Sequence, residues 1–252
     1  GSLFVLPGAI VMLVLAIGYV YFGTIGWVVS MFIGLKAAIS IIVLQALIKL
    51  TKRVIHTKAD WVVAVAGFTG IFILNVPFPL IIICAAIYGS LICNKTADPK
   101  SFTSFPNWKQ GLKTLLQWCL LWWIPLLAID FVFDDNILAS IGYFFSQLAV
   151  VAFGGAYAVL AYMTQDVVGQ LGWLLPNTMM DGLGLAESTP GPLILVTEFV
   201  GFVTAFHAGG LYYGIAGGMV ALWATFIPCF LWIFIGSPYI DWLTQQPRLQ
   251  GA

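Results

Sequence analysis

Two uncharged runs set the strongest constraint on what this chain can become. Trp61 to Asn94 covers 34 residues without Asp, Glu, Lys or Arg, and Phe199 to Ile240 covers 42. About 20 predominantly apolar residues suffice to cross the hydrocarbon core of a bilayer. Charged residues make up 8% of the 252-residue chain and apolar ones 61%, against about 25% and 45–50% in soluble domains. Too few polar groups exist to cover a soluble globule of this size. A soluble enzyme, a nucleic-acid binder and a disordered chain are excluded. The segments are apolar on all sides, whereas strands of a transmembrane β-barrel would alternate over about ten residues. The fold expected is an all-α polytopic integral membrane protein, a bundle of transmembrane helices.

The formal net charge is zero, but the charges are segregated. Residues 1–113 hold nine of the ten Lys/Arg and only Asp60 and Asp98, a net +7. Residues 114–252 hold Arg248 against eight acids, a net −7. Such a bias is first a topology signal. The clusters Lys49, Lys52, Arg53, His56, Lys58 and Lys95, Lys100, Lys109, Lys113 are expected on the cytoplasmic side, with an even number of crossings between them. The four cysteines (Cys84, Cys93, Cys119, Cys229) form no CxxC pair and read as free buried thiols, with neither disulfide nor metal expected.

The chain divides into residues 1–93, a polar linker 94–113, an extra span with an acidic loop 114–135, and residues 136–252. Leu3–Tyr21 and Trp27–Leu47 read as spans around a turn at Gly23-Thr24-Ile25-Gly26. Lys36 sits well inside the second, so it must snorkel, face a polar cavity or lie at the interface. Asn75-Val76-Pro77-Phe78-Pro79 predicts the tip of a hairpin of two short spans, because the prolines remove backbone donors and disfavour helix before them. Thr114–Ile129 leads to Asp130, Asp134 and Asp135, and Asn136–Met163 returns across the membrane. A final span, or a pair of short ones, is expected over Gly210–Ile235. Gly1 opens directly into an apolar segment with no charged stretch before it, which does not read as a signal peptide. An upstream part is expected, with a cloning remnant at Gly1-Ser2 as the other reading. A weak echo of Phe4-Val5-Leu6-Pro7 in Thr225-Phe226-Ile227-Pro228 fits an inverted repeat, with an unpaired span at 114–129 turning the second copy over.

Asp181-Gly-Leu-Gly-Leu-Ala-Glu187-Ser188-Thr189-Pro190-Gly191-Pro192-Leu193 is the most informative segment. Ser188 or Thr189 before Pro190 reads as an N-cap with Pro at the first helical position, opening a helix to about Phe206. Its unpaired N–H groups, Gly191 and two hydroxyls make an anion-binding geometry; an ordinary capped loop is the alternative. Glu187 and Glu198 flank it, and carboxyls within spans usually mark ion or proton pathways. A structural carboxyl hydrogen-bonded to a neighbouring helix is the other reading of Glu198. Asp166 and Asp181 are expected in connections. Phe153-Gly154-Gly155-Ala156-Tyr157 permits close backbone approach, to another helix or to a ligand. His207 reads as a helix-end residue. No Lys or Arg occurs between Lys113 and Arg248, so an anion held by the second part alone relies on helix dipoles, hydroxyls and backbone N–H groups. No phosphate-cradling loop, HExxH or nucleophile elbow is present, so neither an enzyme nor an ATP-driven pump is expected.

FGGAYAVLAY (Phe153 to Tyr162) and GLGLAESTPGPLILVTEFVGF (Gly182 to Phe202) together resemble the chromate ion transporter family. LFVLPGA (Leu3 to Ala9) and NVPFPL (Asn75 to Leu80) resemble the end of the first half and its later hairpin in long-form members, which are similar to two fused homologous halves of opposite orientation. The resemblance implies a long-form protein whose first Gly-Gly and Pro-Gly-Pro elements lie upstream. It further implies a secondary transporter exporting chromate across the bacterial inner membrane, with Glu187 or Glu198 as proton-coupling candidates. Phe153, Gly154, Gly155, Tyr157, Ser188, Thr189, Pro190, Gly191 and Pro192 are the expected substrate pathway. The partners implied are chromate or a sulfate-like oxyanion, the lipid bilayer, the upstream half and a second copy in a homodimer, with no nucleic acid and no cofactor. A sulfate carrier and a non-transporting membrane scaffold are the competing functions.

Overall fold

The computed structural model describes residues 2–55, 57–74, 76, 80–81, 84, 108–132, 137–151 and 156–244. His56, Cys93, the Pro77–Pro79 hairpin tip, the linker up to residue 107, Asp134, Asp135, the Phe153-Gly154-Gly155 element and Arg248 lie outside them. The described residues are mostly helical, with no strand among them. In chain order they form α1 (Ser2–Phe22), α2 (Gly26–Val54), α3 (Lys58–Phe72), α4 (Trp108–Val132), α5 (Ile137–Val151) and α6 (Ala156–Gln165). A π-helical turn (Asp166–Gln170), α7 (Pro176–Ser188), a 3-10 turn (Leu193–Leu195) and α8 (Val196–Thr244) follow. Four stretches are long and apolar enough to cross a membrane: Val5–Phe22, Gly26–Val54, Gly111–Val132 and Leu193–Gly236. The chain is a multi-pass membrane protein.

Two compact units are present, one of residues 1–45 with 118–229, the other of 46–117 with 230–252. In the first, α1 shows how an all-apolar helix sits among neighbours and lipid. Met12 and Ala16 are fully buried, while Leu6, Ile10 and Val14 on the opposite face are more than half exposed. Both faces are apolar, so one packs on protein and the other suits hydrocarbon. The expected turn closes α1 onto α2, with the Gly23 N–H donating to Tyr19 O and the Ile25 N–H to Phe22 O. The Tyr19 and Phe32 rings meet edge-on at 5.3 Å across it.

Polar groups are spent on fixing helix pairs. Trp122 Nε1 of α4 donates to Ser146 Oγ of α5 at 3.0 Å, and Tyr143 of α5 donates to Asp130 of α4 at 2.8 Å. Asp130 thus sits in the last turns of α4, not in the loop beyond it. Of the span expected over Asn136–Met163, residues 137–151 and 156–163 are helical, and the residues between them lie outside the described ones.

α8 is two helices in one continuous stretch. Gly210 adopts φ 77°, ψ −162°, a conformation open to glycine because it lacks a Cβ, and the chain doubles back there. The arms 196–209 and 211–229 then pack through small residues. A Cβ on Gly201 would lie 2.6 Å from both Gly217 O and Ala221 Cβ, and one on Gly217 would run into Ala205 Cβ and Gly201 O. The break agrees with the expected boundary at Gly210.

In the second unit, Thr57 and Asp60 form a reciprocal capping box at the start of α3, Thr57 Oγ1 accepting from Asp60 N at 3.2 Å and Asp60 Oδ2 from Thr57 N at 2.8 Å. Ile81 packs back on α3, its Cδ1 lying 3.2 Å from where a Gly70 Cβ would be. Cys84, Cys119 and Cys229 are free thiols, but Cys84 and Cys229 are exposed rather than buried. An apolar helix needs no cover from its own chain on a face that meets lipid.

Gly201→Leu should lower the thermal midpoint of the detergent-solubilised protein by an amount equivalent to at least 1–3 kcal/mol, roughly the cost of overpacking. Gly34→Leu, at a position with open space around it, should leave the midpoint within error.

Candidate functional site

The site is built where α7 gives way to α8. The expected N-cap at Ser188-Thr189 is not what forms. Ser188 ends α7 and Thr189 is its C-cap, with φ −86° and ψ 135°. Both hydroxyls turn backwards and donate to Leu185 O, at 2.9 Å from Ser188 and 2.6 Å from Thr189. The physical reason lies in the two prolines and the glycine between them. A residue before proline is driven to the extended region, so Thr189 must leave the helix. Gly191 then takes φ 144°, which no helix accommodates. The next helical turn opens after Pro192, the N-cap of the 3-10 turn, and runs on into α8. The helix start is therefore displaced to Leu193, where the first N–H groups have no carbonyl of their own helix to bond.

α1 packs against this break. A Cβ on Gly8 would lie 2.6 Å from Leu195 Cδ1 and 2.7 Å from Pro190 O, and the Gly8 Cα stands 3.6 Å from a Gly191 Cβ. Backbone thus meets backbone across 183 positions of sequence. α1, α6 and α7 all pack on the 3-10 turn. Pro190 and Gly191 remain exposed despite this contact, and Pro192 is half-buried.

Below the break, α8 carries a polar interior. Glu198 is buried, with 2% of its surface exposed, and its Oε2 has no hydrogen-bond partner among the described residues. Thr204 Oγ1 and Trp223 Nε1 on the two arms are buried without a partner as well. Thr197 is satisfied, donating to Ile194 O at 2.9 Å and accepting from Thr225 Oγ1 at 3.4 Å. An unpaired polar atom in such surroundings costs several kcal/mol by order of magnitude, about 2–7. Three of them lie on one hairpin. Glu187 lies half-buried on the last turn of α7. His207 is exposed in the last turn before Gly210, its ring 6.3 Å from that of Phe206.

Asp181 and Asp166 correct the expectation that both lie in connections. Asp181 is inside α7 and buried. Tyr19 of α1 donates to its Oδ2 at 3.0 Å, and the Lys36 ammonium of α2 stands 2.9 Å from Oδ1. Oδ1 accepts no well-angled hydrogen bond, so Lys36 is its partner by charge. The glycines beside Asp181 explain the approach. Phe199 of α8 fills the place of a Gly182 side chain, and Leu35 and Ile39 of α2 close to 2.8 and 2.7 Å of where a Gly184 Cβ would be. Asp166 is buried in the π-helical turn after α6 and accepts a hydrogen bond from Tyr162.

Of the expected pathway, Thr189, Pro190, Gly191 and Pro192 surround the break and Ser188 stands exposed beside it. Tyr157 lies in the first turn of α6, and Phe153, Gly154 and Gly155 fall outside the described residues. Sequence reasoning missed Gly8, Tyr19 and the Lys36–Asp181 pairing. Two opposite charges within apolar segments were the available signal, but nothing in one sequence says which distant residues meet. No group of three or more metal-ligating residues occurs among the described residues.

The comparisons with known proteins agree with one another. The family model described as Chromate transporter matches residues 1–90 and 139–252. A probable chromate transport protein of Synechococcus elongatus is 28% identical over 254 residues, covering 99% of this chain and 59% of its own length. A chromate transport protein of Cupriavidus metallidurans is 28% identical over 259 residues, 99% of this chain and 58% of its own. An uncharacterized transporter of Bacillus subtilis is 28% identical over 116 residues, 46% of this chain and 60% of its own. The chain spans about three fifths of the length of the first two relatives. No solved structure matches it significantly.

Gly8→Val should lower the thermal midpoint, since the added methyls meet Leu195 and the Pro190 carbonyl, whereas Gly18→Val on the same helix, with nothing within 4 Å, should not. Equal effects of the two substitutions would mean that α1 does not pack against the break.

Proposed function

The chain belongs to the chromate transporter family, and on that premise we propose that it forms part of a secondary transporter exporting chromate, a tetrahedral dianion, across the bacterial inner membrane. The observation that carries this reading is the helix break at residues 189–192, packed against α1 with Pro190 and Gly191 exposed, and the buried Glu198 in the first turn of α8, whose Oε2 has no partner among the described residues. The similarity to chromate transport proteins of Synechococcus and Cupriavidus supports the choice of substrate. Their greater length supports a second, homologous half alternating with this one.

In this mechanism the oxyanion docks at the start of the 3-10 turn and α8. The N–H groups of Leu193 and Ile194 point toward the helix start, where the dipole favours negative charge. Ser188 lines the approach. Thr189 holds the end of α7 through Leu185, so its role is to keep the break open rather than to bind. Glu198 sits close behind the docking point. An ionised carboxylate there repels a dianion and a protonated one does not, which couples proton and oxyanion occupancy at one helix start. Outward movement of each negative charge from a negative-inside cell is favourable by about 2.3 kcal/mol per 100 mV. Coupling therefore sets control and direction more than it supplies force.

Everted vesicles containing the full-length protein should accumulate labelled chromate. Pro190→Ala with Pro192→Ala should cut uptake at least tenfold with unchanged protein in the membrane, because the break would close into helix. Full competition by unlabelled sulfate at equal concentration would widen the substrate to oxyanions generally, and absence of any oxyanion flux would favour a scaffold. Glu198→Gln should flatten the pH dependence of uptake; a variant that keeps the wild-type profile and rate would remove Glu198 from the coupling.

A further inference from the structure

The docking point at α8 has no cation of its own, since the sequence holds no Lys or Arg from 114 to 247. Lys36 is the exception brought in from elsewhere. Lys49, Lys52 and Arg53 crowd the end of α2, where they can reach the interface, but Lys36 lies well inside that helix and inside a candidate span. Three other helices are linked to it through Asp181. α7 contributes Asp181 and, through Gly184, the room that lets Leu35 and Ile39 press α2 inward. α1 contributes the Tyr19 hydroxyl on the other carboxylate oxygen. The Tyr19 ring in turn stacks edge-on against Phe199 of α8 at 5.2 Å, and Phe199 adjoins Glu198. From Asp181 to the Thr189 cap is about 12 Å of helix axis, two turns of α7.

We propose that Lys36 is a second station for the oxyanion along the path from the helix break, and that Asp181 is its counter-ion when the station is empty. The inference rests on the transport reading above and adds to it a cation on a helix outside the Pro-Gly-Pro segment. The asymmetry of the pair supports it. The Lys36 side chain is 27% accessible and that of Asp181 10%, so the cation is the more open partner of the pair. Asp181 keeps the Tyr19 hydrogen bond if Lys36 turns away, so releasing the cation does not strip the carboxylate of partners. A dianion attracts the ammonium with twice the Coulomb energy of a carboxylate at equal distance and dielectric, which allows exchange of one partner for the other. An isolated cation at this depth would be costly; the resting pair removes that cost between transport events.

The test is the half-saturating chromate concentration for uptake by everted vesicles of the full-length protein, with the amount in the membrane measured for each variant. Lys36→Met should raise it at least tenfold or abolish uptake. Asp181→Asn, which removes the competing anion, should lower it severalfold. The double variant Lys36→Met, Asp181→Asn leaves no uncompensated charge and should behave like Lys36→Met alone; it decides the matter if Asp181→Asn does not reach the membrane. Recovery of wild-type uptake in the double variant would make the pair structural and overturn the proposal. So would an unchanged Lys36→Met, or a double variant absent from the membrane. Wild-type vesicles that move neither chromate nor sulfate would instead bring down the transport reading, and this proposal with it.

Discussion

A backbone N–H or C=O in hydrocarbon has no water to bond, so every interruption of a helix must be satisfied by the protein itself. The break at residues 189–192 is the place where this chain meets that constraint, and its surroundings are arranged accordingly. Thr189 gives its own N–H to Ala186 O and its hydroxyl to Leu185 O. The 3-10 turn restarts the ladder through Leu195 N to Pro192 O. α1 comes close because Gly8 has no side chain to hold it away. The prolines make the break, and the first helix of the chain packs against it.

Close approach through small residues is the common device. Gly8 admits the break, Gly182 and Gly184 admit Phe199 and the inner face of α2, and Gly201 with Gly217 joins the arms of α8. Between helices in lipid there is little hydrophobic gain to be had, so association depends on van der Waals fit and on hydrogen bonds. The polar contacts follow the same economy. Trp122–Ser146, Tyr143–Asp130 and Tyr19–Asp181 each tie two helices together with one hydrogen bond.

Against that background of satisfied groups, the exceptions are concentrated. Glu198, Thr204 and Trp223 keep buried polar atoms unpartnered on α8, and Lys36 holds its charge against Asp181 within the same unit. Burying such groups within a helix bundle is costly.

Much of this was readable in the residues themselves. Uncharged runs longer than a bilayer is thick dictate membrane helices whatever the neighbours, and the breaks at Gly210 and at Pro190-Gly191-Pro192 follow from backbone sterics that act within a few residues. Glu198 was identifiable as a carboxyl inside a span. The direction of the Ser188 and Thr189 hydroxyls was not, because the same residue types cap either end of a helix and only the φ of Gly191 decides that the first helix ends before the second begins. Nor could one sequence reveal that Gly8 meets Pro190, that Tyr19 and Lys36 meet Asp181, or that Asp181 is helical. Those contacts join residues more than 140 positions apart, and without water to drive them they depend on which small residues let which helices come close. Local sterics and hydrophobicity determined the elements; the pairing of charges and the contact of Gly8 with the break were decided by the packing of α1, α2, α7 and α8.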